Sequence, residues 1–334
     1  MILPGELSVI TTLNGKKGRY VLDELCIQND RKNGFSRRRR AKSAAAYLML
    51  APQIIGFLVF SFYPILWAAQ KAWFYYTGAP FDTRFVSFEN FRRVFAEDAV
   101  YWRTWLTTLK FAAFKLPVEI PLALVLAVIL NGRVKGKSFF RSVYFLPHII
   151  SIAIVGLIFS NMFDYFGIVN SWLIKLGLIE REISWFETTG RSMLVLVTSG
   201  VWATFGINVL YFVAALSNVP EELYEAAVID GAGTVRKFFN ITLPMIAPVF
   251  QTILLLSLNG TLQTNEAVLV TTGGAPGGTT YTVMSYQVSK FVPGFVTETV
   301  NIGYGCAMSI VTSLILCSIA LIYSKASERL QDIY

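Results

Sequence analysis

Six apolar runs of bilayer-spanning length dominate this chain, at 44–73, 104–130, 142–163, 192–216, 245–265 and 302–324. A helix rises about 1.5 Å per residue and the hydrocarbon core of a bilayer is about 30 Å thick, so about 20 apolar residues cross it. Inside lipid each backbone N–H and C=O must be bonded within its own segment, which limits such runs to helices. The composition agrees: 54% of the 334 residues are hydrophobic and 15% are charged, whereas soluble domains carry about a quarter charged residues. The expected fold class is an all-α integral membrane protein with six transmembrane helices.

The basic residues set its orientation. The tail 1–43, the loops 131–141 and 217–244 and the C-terminus 325–334 hold Lys16, Lys17, Arg19, Arg31, Lys32, Arg37 to Arg40, Lys42, Arg133, Lys135, Lys137, Arg141, Arg236, Lys237, Lys325 and Arg329. The opposite loops, 74–103, 164–191 and 266–301, hold only Arg84, Arg92, Arg93, Arg103, Lys175, Arg181, Arg191 and Lys290. The richer side faces the cytoplasm, which places both termini there. The net charge of +8 therefore reads as membrane topology and not as a nucleic-acid surface. The apolar run from Ala44 is too long for a signal-peptide core, so the tail reads as retained, with Arg37–Arg40 beside anionic headgroups and Val21–Cys26 as a short helix. Cys26, Cys306 and Cys317 have no metal-site or disulfide spacing.

Between the fourth and fifth spans lies a polar island, 217–244. It reads as two short helices around a glycine hinge. Asn218 is expected to cap the first and Pro220 to occupy its first turn, with Glu221 and Glu222 at the favourable end of the helix dipole. Leu223, Ala226 and Ala227 share one face. Gly231 is a helix stop and Gly233 a second flexible point; Thr234 is expected to cap a second helix, Val235–Asn240, that Pro244 ends.

The pattern Glu225-Ala226-Ala227, three residues, Gly231, nine residues, Ile241, one residue, Leu243-Pro244, with Asp230, Ala232 and Phe238, resembles the EAA loop of ABC-importer permease subunits. Gly136-Lys137-Ser138-Phe139-Phe140-Arg141 with Phe145-Leu146-Pro147 is similar to the family's signature before its third span. So are Phe85-Val86, Phe88 and Asn90-Phe91 before the second, and Phe166–Asn170 with Leu173 after the third. Thr271-Thr272-Gly273-Gly274-Ala275-Pro276 is similar to its T-x-GGP loop, with Ala275 as an extra residue. The likeness runs from about Ala44 to the C-terminus and follows the carbohydrate branch, of maltose and glycerol-phosphate type. Two departures, Asn265-Glu266 where that branch commonly has Phe-Asp and His148 where it has an aromatic, weaken any transfer of substrate identity.

The resemblance implies a type I ABC-importer permease fold in the bacterial cytoplasmic membrane. It implies a second homologous permease subunit, two ATPase subunits, a periplasmic solute-binding protein and a carbohydrate substrate as partners. ATP and Mg would be bound by the ATPases, leaving this chain with no cofactor, no catalytic residue and no enzymatic role. Leu223, Tyr224, Glu225, Ala226, Ala227, Asp230, Gly231, Gly233, Leu243 and Pro244 would form the ATPase-coupling element. Thr272, Gly273, Gly274 and Pro276 would meet the binding protein or the sugar. The glycine-rich 273–278 stretch lacks the Lys-Ser/Thr of a phosphate loop and faces outward, so it reads as a flexible loop. An oligosaccharide is the favoured cargo class, alginate oligosaccharides among the candidates, with no residue that identifies the sugar.

Polar residues at membrane depth need a reason, since a charge at the bilayer centre costs about 2.5–3.5 kcal/mol on insertion scales. Lys115 and Glu119 lie one helical turn apart in the second span, where Pro117 and Pro121 are expected to disturb the helix, and read as a buried structural pair or as groups lining a hydrated passage. Trp202, Thr204, Asn208 and Tyr211 in the fourth span, and Asn259, Thr261, Gln263, Thr264 and Asn265 with Glu266 at the end of the fifth, supply the amides, hydroxyls and aromatic faces that sugars need. His148 has no partner at metal-ligand spacing and reads as an interface residue. An ion-coupled carrier, with Glu119 as its ionisable group, is the competing transport reading. No motif of an intramembrane enzyme is present.

Overall fold

A computed structural model describes residues 47–132, 135–292 and 300–331. The tail 1–43, including Arg37–Arg40 and Val21–Cys26, lies outside the described residues, as do Arg133 and the last three residues. The chain divides into two compact units, Met1–Trp67 and Ala68–Tyr334. Helix α1, Tyr47–Lys71, carries the described part of the first unit and contains a π turn at Leu58–Phe62.

In the second unit a two-residue antiparallel ladder, β1 (Phe74–Tyr75) with β2 (Arg84–Phe85), precedes the helices. These are α2 (Ala99–Asn131), α3 (Lys137–Ile149), α4 (Ile152–Met162), α5 (Ile168–Lys175), α6 (Thr189–Ser217), α7 (Glu221–Ile229), α8 (Thr234–Leu262), α9 (Glu266–Thr271), α10 (Val283–Phe291) and α11 (Ile302–Gln331). Five helices among the described residues are long and apolar enough to cross a membrane: α1, α2, α6, α8 and α11.

The third expected span, 142–163, is not one straight helix. It is α3 and α4, bent by 92° at Ile150–Ser151. Pro147 lacks the N–H that would continue the α3 ladder, and Ile150 and Ser151 then adopt extended ψ values of 137° and 134°. The other helices exceed the expected limits where capping favours it. The Asp98 side chain accepts the Tyr101 N–H, so α2 begins before residue 104. The same carboxylate accepts the hydroxyls of Tyr286 (2.9 Å) and Tyr304 (2.5 Å), tying α2 to α10 and α11 at that end.

The main core joins Ile120, Ala123, Leu124, Ala127 and Leu130 of α2 to Val209, Phe212, Val213 and Leu216 of α6 and to Ile246 and Ile253 of α8. Hydrophobic burial against water does not drive this pairing inside lipid; close packing does, and small residues permit it. Gly206 shows the requirement most sharply. A Cβ there would collide with the Tyr144 carbonyl of α3, so α3 and α6 approach to backbone contact only through a glycine. Pro117 and Pro121 lie inside α2 without breaking it, as neighbouring helices allow in a membrane.

Candidate functional site

A cavity of about 420 Å³ opens among α2, α6, α8 and the break before α9. Phe111, Lys115 and Glu119 of α2 form one wall, and Gly200, Thr204, Ile207, Asn208 and Tyr211 of α6 a second. Leu256, Ser257, Gly260 and Thr261 of α8, with Thr264, Asn265 and Glu266, form a third, and His148 of α3 lies at its edge. Its volume falls within the range of about 300–1,000 Å³ of small-molecule sites.

Its chemistry centres on one ion pair. Lys115 Nζ lies 2.7 Å from Glu119 Oε2, with the two side chains only 6% and 0% exposed. Glu119 Oε1 accepts from Thr204 Oγ1 at 2.6 Å and Asn208 Nδ2 at 2.8 Å. Lys115 donates to Thr261 Oγ1 at 3.1 Å, and Asn208 Nδ2 also donates to Ser257 Oγ at 3.0 Å. Three spanning helices are thus bonded through one buried carboxylate–ammonium pair. Such a pair repays its desolvation only when further hydrogen bonds help hold it, and here Thr204, Asn208 and Thr261 supply them. The two readings of Lys115 and Glu119 merge: the pair is structural and also lines the cavity.

The expected path residues divide. Thr204, Asn208, Tyr211, Thr264, Asn265 and Glu266 meet at this cavity. Trp202 instead packs its ring against Phe159 of α4, 5.7 Å between centroids. Asn259 and Gln263, bonded to each other at 2.6 Å, face a different cavity of about 360 Å³ beside Gln287, Ser309 and Thr312. Gln263, Thr264 and Asn265 lie beyond the last residue of α8, Leu262, so they belong to the break and not to the span as expected. Asn265 caps α9 by accepting the Glu266 N–H at 2.6 Å. Thr261 meets the cavity as expected, while Ser257, absent from the expected set, stands one turn before it on α8; that spacing was the available signal. His148 reaches the cavity edge, a position its sequence neighbours do not disclose.

The polar island folds as α7, a turn, and the start of α8. Glu221 and Glu222 occupy the first turn, and the cap is Pro220, not Asn218. Gly231 has φ +72°, and its N–H bonds the Val228 carbonyl at 3.0 Å while Ala232 N–H bonds that of Ala227 at 2.8 Å. This pair of bonds is a Schellman close, which needs a left-handed residue at Gly231. Gly233 has φ −68° and precedes Thr234 as the cap of α8; it provides no unusual geometry, and Thr234 is a helical residue rather than the cap. Pro244 does not end a helix. A π turn at Phe238–Thr242 shifts the bonding by one residue, so the N–H that Pro244 lacks falls where the register changes and α8 runs on.

Ala227 is buried, and the Tyr224 hydroxyl bonds Thr242 Oγ1 at 2.9 Å, fixing α7 on α8. Leu223, Glu225, Ala226 and Asp230 are exposed, as are Val228 and Ile229, the last at 87%. Leu243 and Pro244 are half-buried in the first turns of α8.

The outer loop is more organised than a flexible linker. Thr272, buried, bonds Thr280 Oγ1 at 2.9 Å and accepts the Gly274 N–H at 3.2 Å. Gly274 is buried against the Tyr281 ring, while Gly273 is exposed and Pro276 half-exposed. Of the four expected contacts, only Gly273 and Pro276 are open to a partner. Thr282 holds the loop to the cavity rim by donating to the Thr264 carbonyl at 2.6 Å.

The helices, the cavity at mid-span with its buried ion pair and the short exposed helix between two spans define a membrane permease subunit. Residues 119–331 match the family model described as "Binding-protein-dependent transport system inner membrane component", and the chain belongs to that family. It is 35% identical over 291 residues to the arabinooligosaccharides transport system permease protein AraP of Bacillus subtilis (strain 168), covering 86% of this chain and 90% of that one. It is 31% identical over 291 residues to the sn-glycerol-3-phosphate transport system permease protein UgpA of Yersinia pestis, covering 85% and 94%. A crystal structure of a bacterial alginate ABC transporter with a pentasaccharide-bound periplasmic protein contains a similar chain, with TM-score 0.73, 23% identity and coverage of 85% and 94%. The fold is that of type I ABC-importer permeases.

Proposed function

We propose that this chain is the transmembrane permease subunit of an ATP-driven importer that carries an oligosaccharide from the periplasm to the cytoplasm. One observation carries the reading. The exposed helix α7 is joined at its two ends to α6 and α8, which form two walls of the cavity. A push on α7 therefore acts on both walls. The Tyr224–Thr242 bond and the buried Ala227 make α7 a rigid lever, which transmits displacement instead of absorbing it.

The exposed apolar face of Val228 and Ile229 beside Leu223, Glu225 and Ala226 suits docking on an ATPase subunit. Two such ATPases would bind the ATP and Mg, and this chain would hold neither. A second permease subunit completes the passage, and a periplasmic binding protein delivers the sugar to the outer face, where Gly273 and Pro276 are open. The basic loops orient α7 and both termini toward the cytoplasm. Hydroxyl and amide groups of Thr204, Asn208, Ser257, Thr264 and Asn265, with the Tyr211 ring, match what a saccharide offers. The names of similar permeases, among them an arabinooligosaccharide system, support a carbohydrate cargo.

The ion-coupled reading fits less well. Its one ionisable candidate, Glu119, is ion-paired to Lys115 through one oxygen and accepts from Thr204 and Asn208 through the other. The test is uptake into vesicles containing the whole complex. Oligosaccharide uptake should require ATP and persist when ion gradients are collapsed. Uptake that stops with the gradients while ATP is present would refute the proposal.

A further inference from the structure

The family includes permeases named for neutral and for anionic cargo, such as arabinooligosaccharides and sn-glycerol-3-phosphate. Membership therefore leaves the charge of the cargo open, but the cavity wall does not. Its fixed charges are Lys115, Glu119 and Glu266. Lys115 is committed to Glu119 at 2.7 Å and to Thr261 at 3.1 Å. Glu266 is exposed at the mouth and has no ion-pair partner among the described residues. The wall thus carries one positive and two negative side chains, with the positive one already neutralised.

Resting on the carbohydrate reading above, we propose that this cavity selects neutral saccharide units and turns away uronic acids and phosphorylated sugars. Glu266 is the excluding charge, and Glu119 acts as a positioning residue that keeps Lys115 from receiving an anion. A sugar carboxylate entering here meets a free carboxylate at the mouth. To gain a cation inside it must displace Glu119 from Lys115, leaving a buried carboxylate uncompensated, which is strongly unfavourable. A neutral saccharide faces neither obstacle. It finds hydroxyls and amides at Ser257, Thr264 and Asn265 that accept and donate to sugar hydroxyls.

The test is equilibrium binding to the complete permease–ATPase complex at pH 7.5, without binding protein, so that the cavity alone selects. The probes are a panel of neutral pentose and hexose oligosaccharides and a length-matched panel of uronic oligosaccharides. The expected result is at least tenfold tighter binding of the best neutral probe. Glu266→Gln should narrow that ratio, and Glu119→Gln, which releases Lys115, should narrow it further or invert it. A ratio measured on one preparation is insensitive to partial loss of folded protein. Equal or tighter binding of uronic probes by the unaltered complex overturns the proposal and leaves the carbohydrate reading standing. A neutral preference that neither substitution changes also overturns it, since the charge would then be read elsewhere. Binding of no saccharide in either panel defeats the carbohydrate reading and this proposal together.

Discussion

Replacing Lys115 with Met removes the cation from the buried pair and keeps the side-chain length. Glu119, 0% exposed, is then left charged beside Thr204 and Asn208 with no cation. Breaking a buried pair by removing one partner costs about 3–5 kcal/mol, or two to three and a half powers of ten in the folding equilibrium at about 1.4 kcal/mol per decade. Adding Glu119→Gln removes the stranded charge, and the new carbonyl oxygen still accepts from Thr204 and Asn208. The double variant should cost only about 1–2 kcal/mol, that of hydrogen bonds weakened but not orphaned. The double variant should therefore be about 2 kcal/mol more stable than Lys115→Met alone. The assay is denaturant unfolding of the purified chain in mixed micelles, run as a double-mutant cycle. A Lys115→Met cost under about 1 kcal/mol, typical of exposed pairs, would refute the reasoning, as would a double variant no more stable than the single.

Gly231→Val forces a β-branched residue to φ +72°, while Gly231→Asn is tolerated there; transport per ATP hydrolysed should fall in the first, remain near normal in the second, and membrane insertion should be intact in both. Gly206→Ala drives a methyl into the Tyr144 carbonyl and should destabilise the chain by about 1–3 kcal/mol, measured by the same micelle unfolding. Tyr224→Phe loses the bond to Thr242, worth about 0.5–1.5 kcal/mol, and should raise hydrogen exchange in α7 without altering α2 or α6. Trp202→Phe, which keeps a ring against Phe159, should leave sugar affinity within twofold, whereas Asn208→Leu should weaken it at least tenfold by titration of the complex.

Five spans were legible because lipid leaves the backbone few options, but run length did not disclose the 92° bend within 142–163. The short helix α7 was legible because Glu221 and Glu222 mark its first turn and Gly231 its end. Helical phase also explains the path residues that separate. Thr204, Asn208 and Tyr211 follow the three-and-four spacing of one face, while Trp202, two residues from Thr204, lies about 200° round the helix. Ser257 and Thr261 share a face in the same way, and Asn259 occupies another. Those phases are written in the sequence, but which face meets α2 depends on how α6 and α8 pack.

Proline gave no reliable guide. Pro117 and Pro121 leave α2 continuous, Pro244 lies in a helix that a π turn carries past it, and Pro147 precedes a 92° bend. The outcome in each case rests on whether neighbouring groups take up the freed carbonyls, a tertiary fact. The Gly-rich outer loop misled for a related reason: its flexibility is removed by threonine side chains bonding across it, at Thr272, Thr280 and Thr282.

The central claim is that a separate ATPase works the cavity through α7. It is tested most directly by placing a single cysteine at Ile229, 87% exposed, in the assembled complex and following its crosslinking to the ATPase subunit through the transport cycle. The account predicts a crosslink whose yield changes between nucleotide-free and ATP-bound states. Absence of any crosslink to the ATPase in every state, or modification of that cysteine by a membrane-impermeant reagent from outside the cell, would contradict it.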